Sequence, residues 1–315
     1  MTDAGLHATC CAICGTEGNA TELYAANFGP EAFSPEVFSA RRLPDRIHYR
    51  MVRCNGCGLV RSDPVADPAL AARLYGQSSF DYSHEVDSLA RTYGSYLARL
   101  DRYGAAKGSI LEIGCGNGFF LAQARAQGYR DVRGVEPSAR AIESAPGDIR
   151  GCIVCAMMGP GLFAEASFDA ICLFQVLDHL FDPAAAMETC YQWLKPGGFV
   201  LALNHNVEAL SARLLKARSP IVDIEHTYLY SPASMRRLLS KFGFDVKEIG
   251  SVRNLYSAGY VARLVPLPAP LKKALLATLD GTGVGRWRVK IPLGNLYAIA
   301  QKPAGPAGRM RGPAD

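Results

Sequence analysis

The stretch Ile110-Leu111-Glu112-Ile113-Gly114-Cys115-Gly116-Asn117-Gly118-Phe119-Phe120-Leu121 joins a short apolar run to a glycine turn and then to apolar residues at helical spacing. It predicts a buried strand, a tight loop and a helix. Glycines at 114, 116 and 118 let the backbone turn sharply and approach a ligand that sits over the helix N-terminus. A dinucleotide loop needs Gly-x-Gly-x-x-Gly/Ala, so that its amides cradle a pyrophosphate. Here the spacing is Gly-x-Gly-x-Gly, and bulky Phe119 stands where the third small residue would be. The tighter loop suits a ligand without phosphates.

Three more segments follow in order. Val132-Arg133-Gly134-Val135-Glu136-Pro137-Ser138 reads as a second strand ending in an acid, 22 residues beyond Gly114, where a carboxylate can accept both hydroxyls of a ribose. Ser167-Phe168-Asp169-Ala170-Ile171-Cys172-Leu173-Phe174-Gln175-Val176-Leu177-Asp178-His179 reads as a further strand and its exit loop. In Leu194-Lys195-Pro196-Gly197-Gly198-Phe199-Val200-Leu201, Pro and Gly end a helix and open a buried strand. The four segments in register resemble the class I S-adenosylmethionine-dependent methyltransferases. That resemblance implies an α/β, Rossmann-like seven-stranded sheet of order 3-2-1-4-5-7-6 with an antiparallel last strand, and S-adenosyl-L-methionine as cofactor. It also implies that Glu112 and the loop of Gly114, Cys115, Gly116 and Gly118 hold the methionine moiety, that Glu136 holds the ribose, and that Gln175 touches the cofactor from the end of strand four.

Two pairs, Cys11-Ala12-Ile13-Cys14-Gly15 and Cys54-Asn55-Gly56-Cys57-Gly58, carry the second signal. Each C-x-x-C followed by Gly makes a knuckle whose amides point toward the sulfurs. Two knuckles supply four thiolates, Cys11, Cys14, Cys54 and Cys57, for a tetrahedral, closed and therefore structural Zn²⁺ site. The 39 residues between the pairs leave room for extra strands, and residues 47–53 alternate as the strand entering the second knuckle. Cys10 could replace Cys11 only by giving up the two-residue spacing. Cys152 and Cys155 share that spacing but fall in an expected strand, where residues three apart face opposite sides; core packing accounts for them. A zinc module ahead of this domain resembles two branches of the family. One holds sugar C-methyltransferases and related enzymes of glycan and antibiotic biosynthesis; the other holds RNA guanine methyltransferases with a small zinc finger. Cys57-Gly58-Leu59-Val60 and Asp63-Pro64 bring the chain nearer the first, although it lacks room for that branch's large C-terminal domain.

The chain has 315 residues, 49% hydrophobic and 20% charged, with net charge +5, values that exclude a mainly disordered protein. Its Lys and Arg are scattered, which disfavours nucleic acid as partner. No apolar run is long enough to span a bilayer, and the first residues lack a signal peptide's basic start and apolar stretch. The expected compartment is the cytoplasm, where ten cysteines stay reduced as thiols or metal ligands. The organisation expected is a zinc-binding module at 1–62, a helical linker or lid at 63–107, the methyltransferase domain at 108–302 and a disordered tail at 303–315. Within the lid, the resemblance implies that the segment bearing Tyr75, Phe80 and Tyr82 folds over the cofactor. An insertion at 264–288, with an apolar helix over 271–279, caps the acceptor pocket or forms a homodimer contact.

Methyl transfer requires alignment of a nucleophile with the sulfonium methyl and, for some acceptors, removal of a proton. Three histidines follow strand four. His179 lies in Val-Leu-Asp-His, a pattern similar to the family's Val-Leu-Glu-His, where it is often structural. His205 lies directly past strand five, at the carboxyl edge where α/β sheets place ligands. His226 has Glu225 and Asp223 as neighbours able to orient its imidazole, and a histidine near neutral pKa is a natural general base. The expected function is methyl transfer to a small-molecule or glycan acceptor. A zinc-finger RNA base methyltransferase, a nicotinamide oxidoreductase and a non-catalytic cofactor-binding protein are the competing readings.

Overall fold

The computed structural model describes residues 5–29, 47–67, 70, 86–264, 267–292 and 294–305. The amino-terminal part forms two small antiparallel sheets: β1 (Leu6–His7) pairs with β5 (Val65–Ala66), while β2 (Ala20–Tyr24), β3 (Met51–Cys54) and β4 (Val60–Ser62) run side by side. The strand expected over 47–53 is thus shorter at its start and ends on Cys54 itself. Tyr75, Phe80 and Tyr82, and most of the linker expected before the first long helix, lie outside the described residues.

The large sheet is built from β6 (Ser109–Ile113), β7 (Asp131–Glu136), β8 (Ile153–Cys155), β9 (Phe168–Phe174), β10 (Leu194–His205), β12 (Asp245–Ser251) and β15 (Asn295–Gln301). Its spatial order is β12-β15-β10-β9-β6-β7-β8, with β15 antiparallel to both neighbours. That is the order 3-2-1-4-5-7-6. The remaining strands are β11 (Tyr228–Leu229), β13 (Asn254–Ser257) and β14 (Arg288–Ile291).

Central strands read as continuous apolar runs because both faces are covered. Alternate residues divide between two buried clusters. Leu111, Ile113, Ile171 and Leu173 point into one, together with Trp193, Met235, Leu238 and Leu239; Ile110, Ala170, Cys172 and Phe174 point into the other, with Phe120, Leu121, Leu97 and Leu100. The first cluster also contains Cys11, Cys54, Cys57 and Leu59, so the cysteine module and the large sheet share one core. Helix Pro183–Trp193 starts where the Asp182 side chain accepts from the Ala185 amide at 2.9 Å and proline occupies the first turn, where a missing N–H costs nothing. Helix Pro232–Lys241 opens on a capping box between Ser231 and Ser234. Among the described residues, no helix is long and apolar enough to cross a membrane.

Three features differ from the sequence reading. β10 begins at Leu194, with a register shift between Leu194 and Phe199 against β9, so the Lys-Pro-Gly-Gly turn is a bulged part of the strand rather than a loop before it. Cys155 is exposed, because β8 is the edge strand of the sheet among the described residues, whereas Cys152 is half-buried and packs against the second cluster; core packing accounts for Cys152 alone. In the insertion, the helix spans Ala269–Gly281, and the strands that flank the segment in sequence, β13 and β14, pair as a two-stranded ribbon.

β11 joins the two parts of the molecule. It adds to β4 as an antiparallel neighbour, with Tyr228 opposite Arg61 and Leu229 opposite Val60. The Ser62 amide donates to Thr227 O at 2.8 Å, the Tyr228 hydroxyl donates to Cys10 O at 2.9 Å, and Lys241 Nζ donates to Ala12 O at 3.0 Å.

Candidate active site

Past β6, the chain turns through Gly114, Gly116 and Gly118 at φ 68°, 54° and 72°, the left-handed region that side chains disfavour. A β-carbon at Gly114 would lie 2.6 Å from Val176 Cγ2, and one at Gly118 would lie 2.5 Å from Ile149 Cγ2. The loop is therefore seated against the exit of β9 on one side and the Gly147–Arg150 helix on the other. Gly118→Ala is expected to lower stability by about 1–3 kcal/mol through backbone strain and overpacking, readable as a lowered thermal midpoint; an unchanged midpoint would show that the loop is not fixed this way. Cys115 turns its thiol onto the sheet, where a β-carbon at Gly134 would stand 2.4 Å from Sγ. Burial pushes that thiol up, so Cys115 offers a ligand its backbone only. Phe119 packs on Tyr93 of helix Val86–Leu97, with ring centroids 5.9 Å apart, which accounts for a bulky residue after the last glycine.

Glu136 ends β7 almost fully buried. Its Oε2 accepts from the Gly116 amide and its Oε1 from the Ser138 amide, both at 2.9 Å, and burial raises its pKa against the pull of those two amides. Glu112, within β6, is pushed well up by burial and then by the charge of Glu136. Glu112 Oε2 and Gln175 Oε1 are both buried acceptors with no hydrogen-bond partner. Each such group costs on the order of 1–3 kcal/mol until a donor meets it. Gln175 is also one of three non-glycine residues with positive φ among the described residues, at 57°, its amide donating to Leu203 O at 2.7 Å. Strained backbone and orphaned acceptors around one glycine cradle fit a ligand rich in hydroxyl and ammonium donors.

A few residues further along the β9 exit loop, Asp178 is completely buried. Its Oδ2 receives His205 Nδ1 at 2.5 Å, its Oδ1 receives the Asn204 side-chain amide at 3.1 Å, and His179 Nε2 lies 4.0 Å from Oδ1. The His226 ring centroid is 4.4 Å from that of His205 and 4.8 Å from that of His179. The carboxyl edge of the sheet thus gathers all three expected histidines around one carboxylate. Burial raises the Asp178 pKa, but the charge and hydrogen bond of His205, then His179 and His226, carry it far below the usual carboxylate range. Burial lowers both His179 and His226, each further depressed by neighbouring imidazoles, so both are neutral near pH 7.

The orienting partners are not those the sequence suggested. His226 Nδ1 sits 2.9 Å from the Ile221 carbonyl, and the carboxylate among the imidazoles is Asp178, not Glu225 or Asp223. Asp178 went unremarked in the sequence because its partners arrive from β10 and from the 221–230 segment. That segment is tied back to it: the Thr227 and Tyr228 amides donate to Asp178 O at 2.8 and 3.2 Å, and the Thr227 hydroxyl donates to Leu180 O at 2.7 Å. Only the adjacency of β9 and β10 brings the group together.

In the cysteine module, Cys11 Sγ lies 3.3 Å from Cys57 Sγ, and Cys54 Sγ lies 3.8 Å from Cys14 Sγ. All four sulfurs fall within 4.8 Å of one another, a spread that suits a tetrahedral ion with bonds of about 2.3 Å. The Cys14 amide points at Cys11 Sγ at 3.4 Å. At Cys54, burial raises the thiol pKa, but the Cys57 and Gly56 amides outweigh it and bring the value to about 7. Burial instead pushes the Cys57 and Cys14 thiols up, so of these three only Cys54 has thiolate character without a cation.

The Methyltransferase domain family model matches residues 82–249, more than half of the chain. The chain is 33% identical over 128 residues to a Caulobacter vibrioides protein named ubiquinone biosynthesis O-methyltransferase, covering 36% of this chain and 50% of that one; it therefore spans about half the length of that relative. A Pseudomonas aeruginosa protein of the same name is 27% identical over 197 residues, covering 58% and 82% of the two chains. An Archaeoglobus fulgidus SAM-dependent methyltransferase structure superposes with a TM-score of 0.47 at 19% identity, over 70% of this chain and all of that one.

Proposed function

This chain belongs to the methyltransferase-domain family, and on that premise we propose that it transfers a methyl group from S-adenosyl-L-methionine to an oxygen of a small-molecule acceptor. The observation that carries the acceptor side is the Asp178–His205 pair at the carboxyl edge of β9 and β10. When bound, the cofactor supplies the electrophilic methyl. The protein aligns and deprotonates. The 114–118 loop and Glu112 would hold the methionine end, Glu136 would accept from the ribose hydroxyls, and Gln175 Oε1, an unpartnered acceptor where β9 ends, would accept from a cofactor donor. Asp178 fixes His205 with the proton on Nδ1, which leaves Nε2 to take the acceptor's hydroxyl proton. A bound cofactor would supply a sulfonium whose methyl carbon the acceptor oxygen attacks, the electron pair of the C–S bond remaining on sulfur. His226 and His179 line the same edge as the further candidates.

The relatives' printed name, with its O-methylation, supports an oxygen nucleophile. Resemblance to the glycan and antibiotic branch keeps sugar hydroxyls within the acceptor class, and the scattered charge keeps nucleic acid outside it. The cysteine module holds one structural Zn²⁺ in this reading, the compartment is the cytoplasm, and the insertion is the surface on which a homodimer would form.

Calorimetry tests the cofactor assignment. S-adenosylmethionine should bind in the micromolar range, and Glu136→Ala should weaken it by on the order of tenfold or more, because two charge-assisted hydrogen bonds to the ribose disappear. Heat of binding from NADH with none from S-adenosylmethionine would replace this reading with that of an oxidoreductase.

A further inference from the structure

Asp178, His179 and His226 each offer one ligand atom, and those atoms lie within 4.8 Å of one another. Their arrangement is more specific than proximity. His226 has one ring nitrogen, Nδ1, on the Ile221 carbonyl at 2.9 Å, and His179 turns Nε2 toward Asp178, 4.0 Å from Oδ1. In His226 that carbonyl takes the N–H, so the lone pair is on the other nitrogen, Nε2. Metal-ligating histidines are held in the same way, with the tautomer and the ring plane fixed by a carbonyl behind the ligand. Asp178 is equally prepared: its Oδ2 is occupied by His205 and its Oδ1 is steadied by Asn204.

We propose that Asp178, His179 and His226 form a second metal site, distinct from the cysteine module, for a divalent transition ion such as Zn²⁺, Mn²⁺, Fe²⁺ or Co²⁺. Two imidazoles and one carboxylate suit ions of this borderline class, and three protein ligands leave coordination positions open. Bonds of about 2.0–2.2 Å require the ligand atoms to draw in by on the order of an ångström, a side-chain adjustment. The open positions face the edge where His205 stands ready to accept a proton. An acceptor hydroxyl held there would be more acidic and fixed for in-line attack, which selects hydroxylated acceptors, above all those with two adjacent oxygens. This role rests on the methyltransferase reading; the binding of the ion does not.

Cobalt loading of the full chain after chelation separates the two sites, because the four-thiolate site gives an intense thiolate-to-cobalt band and a nitrogen–oxygen site gives only weak visible bands. The wild type should take up two Co²⁺ per chain. His179→Asn and His226→Asn should each take up one, with the thiolate band unchanged as a control for folding. Uptake of one equivalent by the wild type, or of two by both variants, would overturn the proposal. Should both variants fail to fold, wild-type histidine proton resonances decide the matter, since those of His179 and His226 must broaden on adding the second equivalent of Mn²⁺ or Co²⁺, and sharp signals would overturn it. S-adenosylmethionine calorimetry on the same samples reports the methyltransferase reading independently.

Discussion

His205→Asn is expected to lower turnover by roughly 10²–10⁴-fold, the range of a positioned general base, with S-adenosylmethionine affinity nearly unchanged. The contrast follows from the proposed division of the site, with His205 at the acceptor edge and the glycine loop, Glu112 and Glu136 on the cofactor side. Asparagine keeps a donor near Asp178 and so separates proton transfer from packing. Asp178→Asn should fall the same way, because the amide no longer enforces a proton on Nδ1 and the wrong tautomer becomes accessible. Single-turnover kinetics against a panel of phenolic and sugar hydroxyl acceptors reads both variants. Persistent turnover with only a lowered thermal midpoint would make His205 a packed residue, and catalysis here would be positional, as for an acceptor that needs no base.

The double variant Cys54→Ser/Cys57→Ser is expected to lose about one zinc per chain and to unfold at a midpoint lower by on the order of 10 °C, since binding of a structural ion contributes directly to folding free energy. The loss should not stay local. β4 lies between β3 and β11, and β11 begins two residues after His226, whose carbonyl accepts from the Ser62 hydroxyl at 3.2 Å. Activity should therefore fall further than cofactor affinity. Elemental analysis and differential scanning calorimetry provide the check: full zinc retention by the variant, or a zinc-free wild type in reducing buffer, would remove the metal from the module.

The backbone of the proposed cofactor half was legible in the sequence because its determinants are local. Gly114, Gly116 and Gly118 announce a tight turn on their own, Glu136 sits at a fixed distance beyond them, and every strand between 109 and 205 was expected within a few residues of its position. The acceptor half was not. Asp178 acquires meaning only when β9 and β10 lie side by side and the 221–230 segment folds over them, so the Asp-His pair in the exit loop was read for its histidine alone. Likewise β13 and β14 are joined through two helices, Ala258–Leu264 and Ala269–Gly281, and neither has a pattern that names its partner. Cys155 was assigned to the core because a strand was correctly expected there, although the order 3-2-1-4-5-7-6 already put that strand at the edge of the sheet, where a side chain can be left open to solvent.

The pairing of β4 with β11 also has a consequence for how the chain is made. Ser62 and His226 are 164 positions apart, and the Tyr228–Cys10 contact spans 218, so the first strands to leave the ribosome wait for residues synthesised much later. Such distant pairing is slow to form. Until it does, β4 presents a bare edge of the kind that other chains can extend. The yield of soluble protein should then depend on translation speed past residue 230 and on chaperones that shield the nascent module more than on any property of the finished fold.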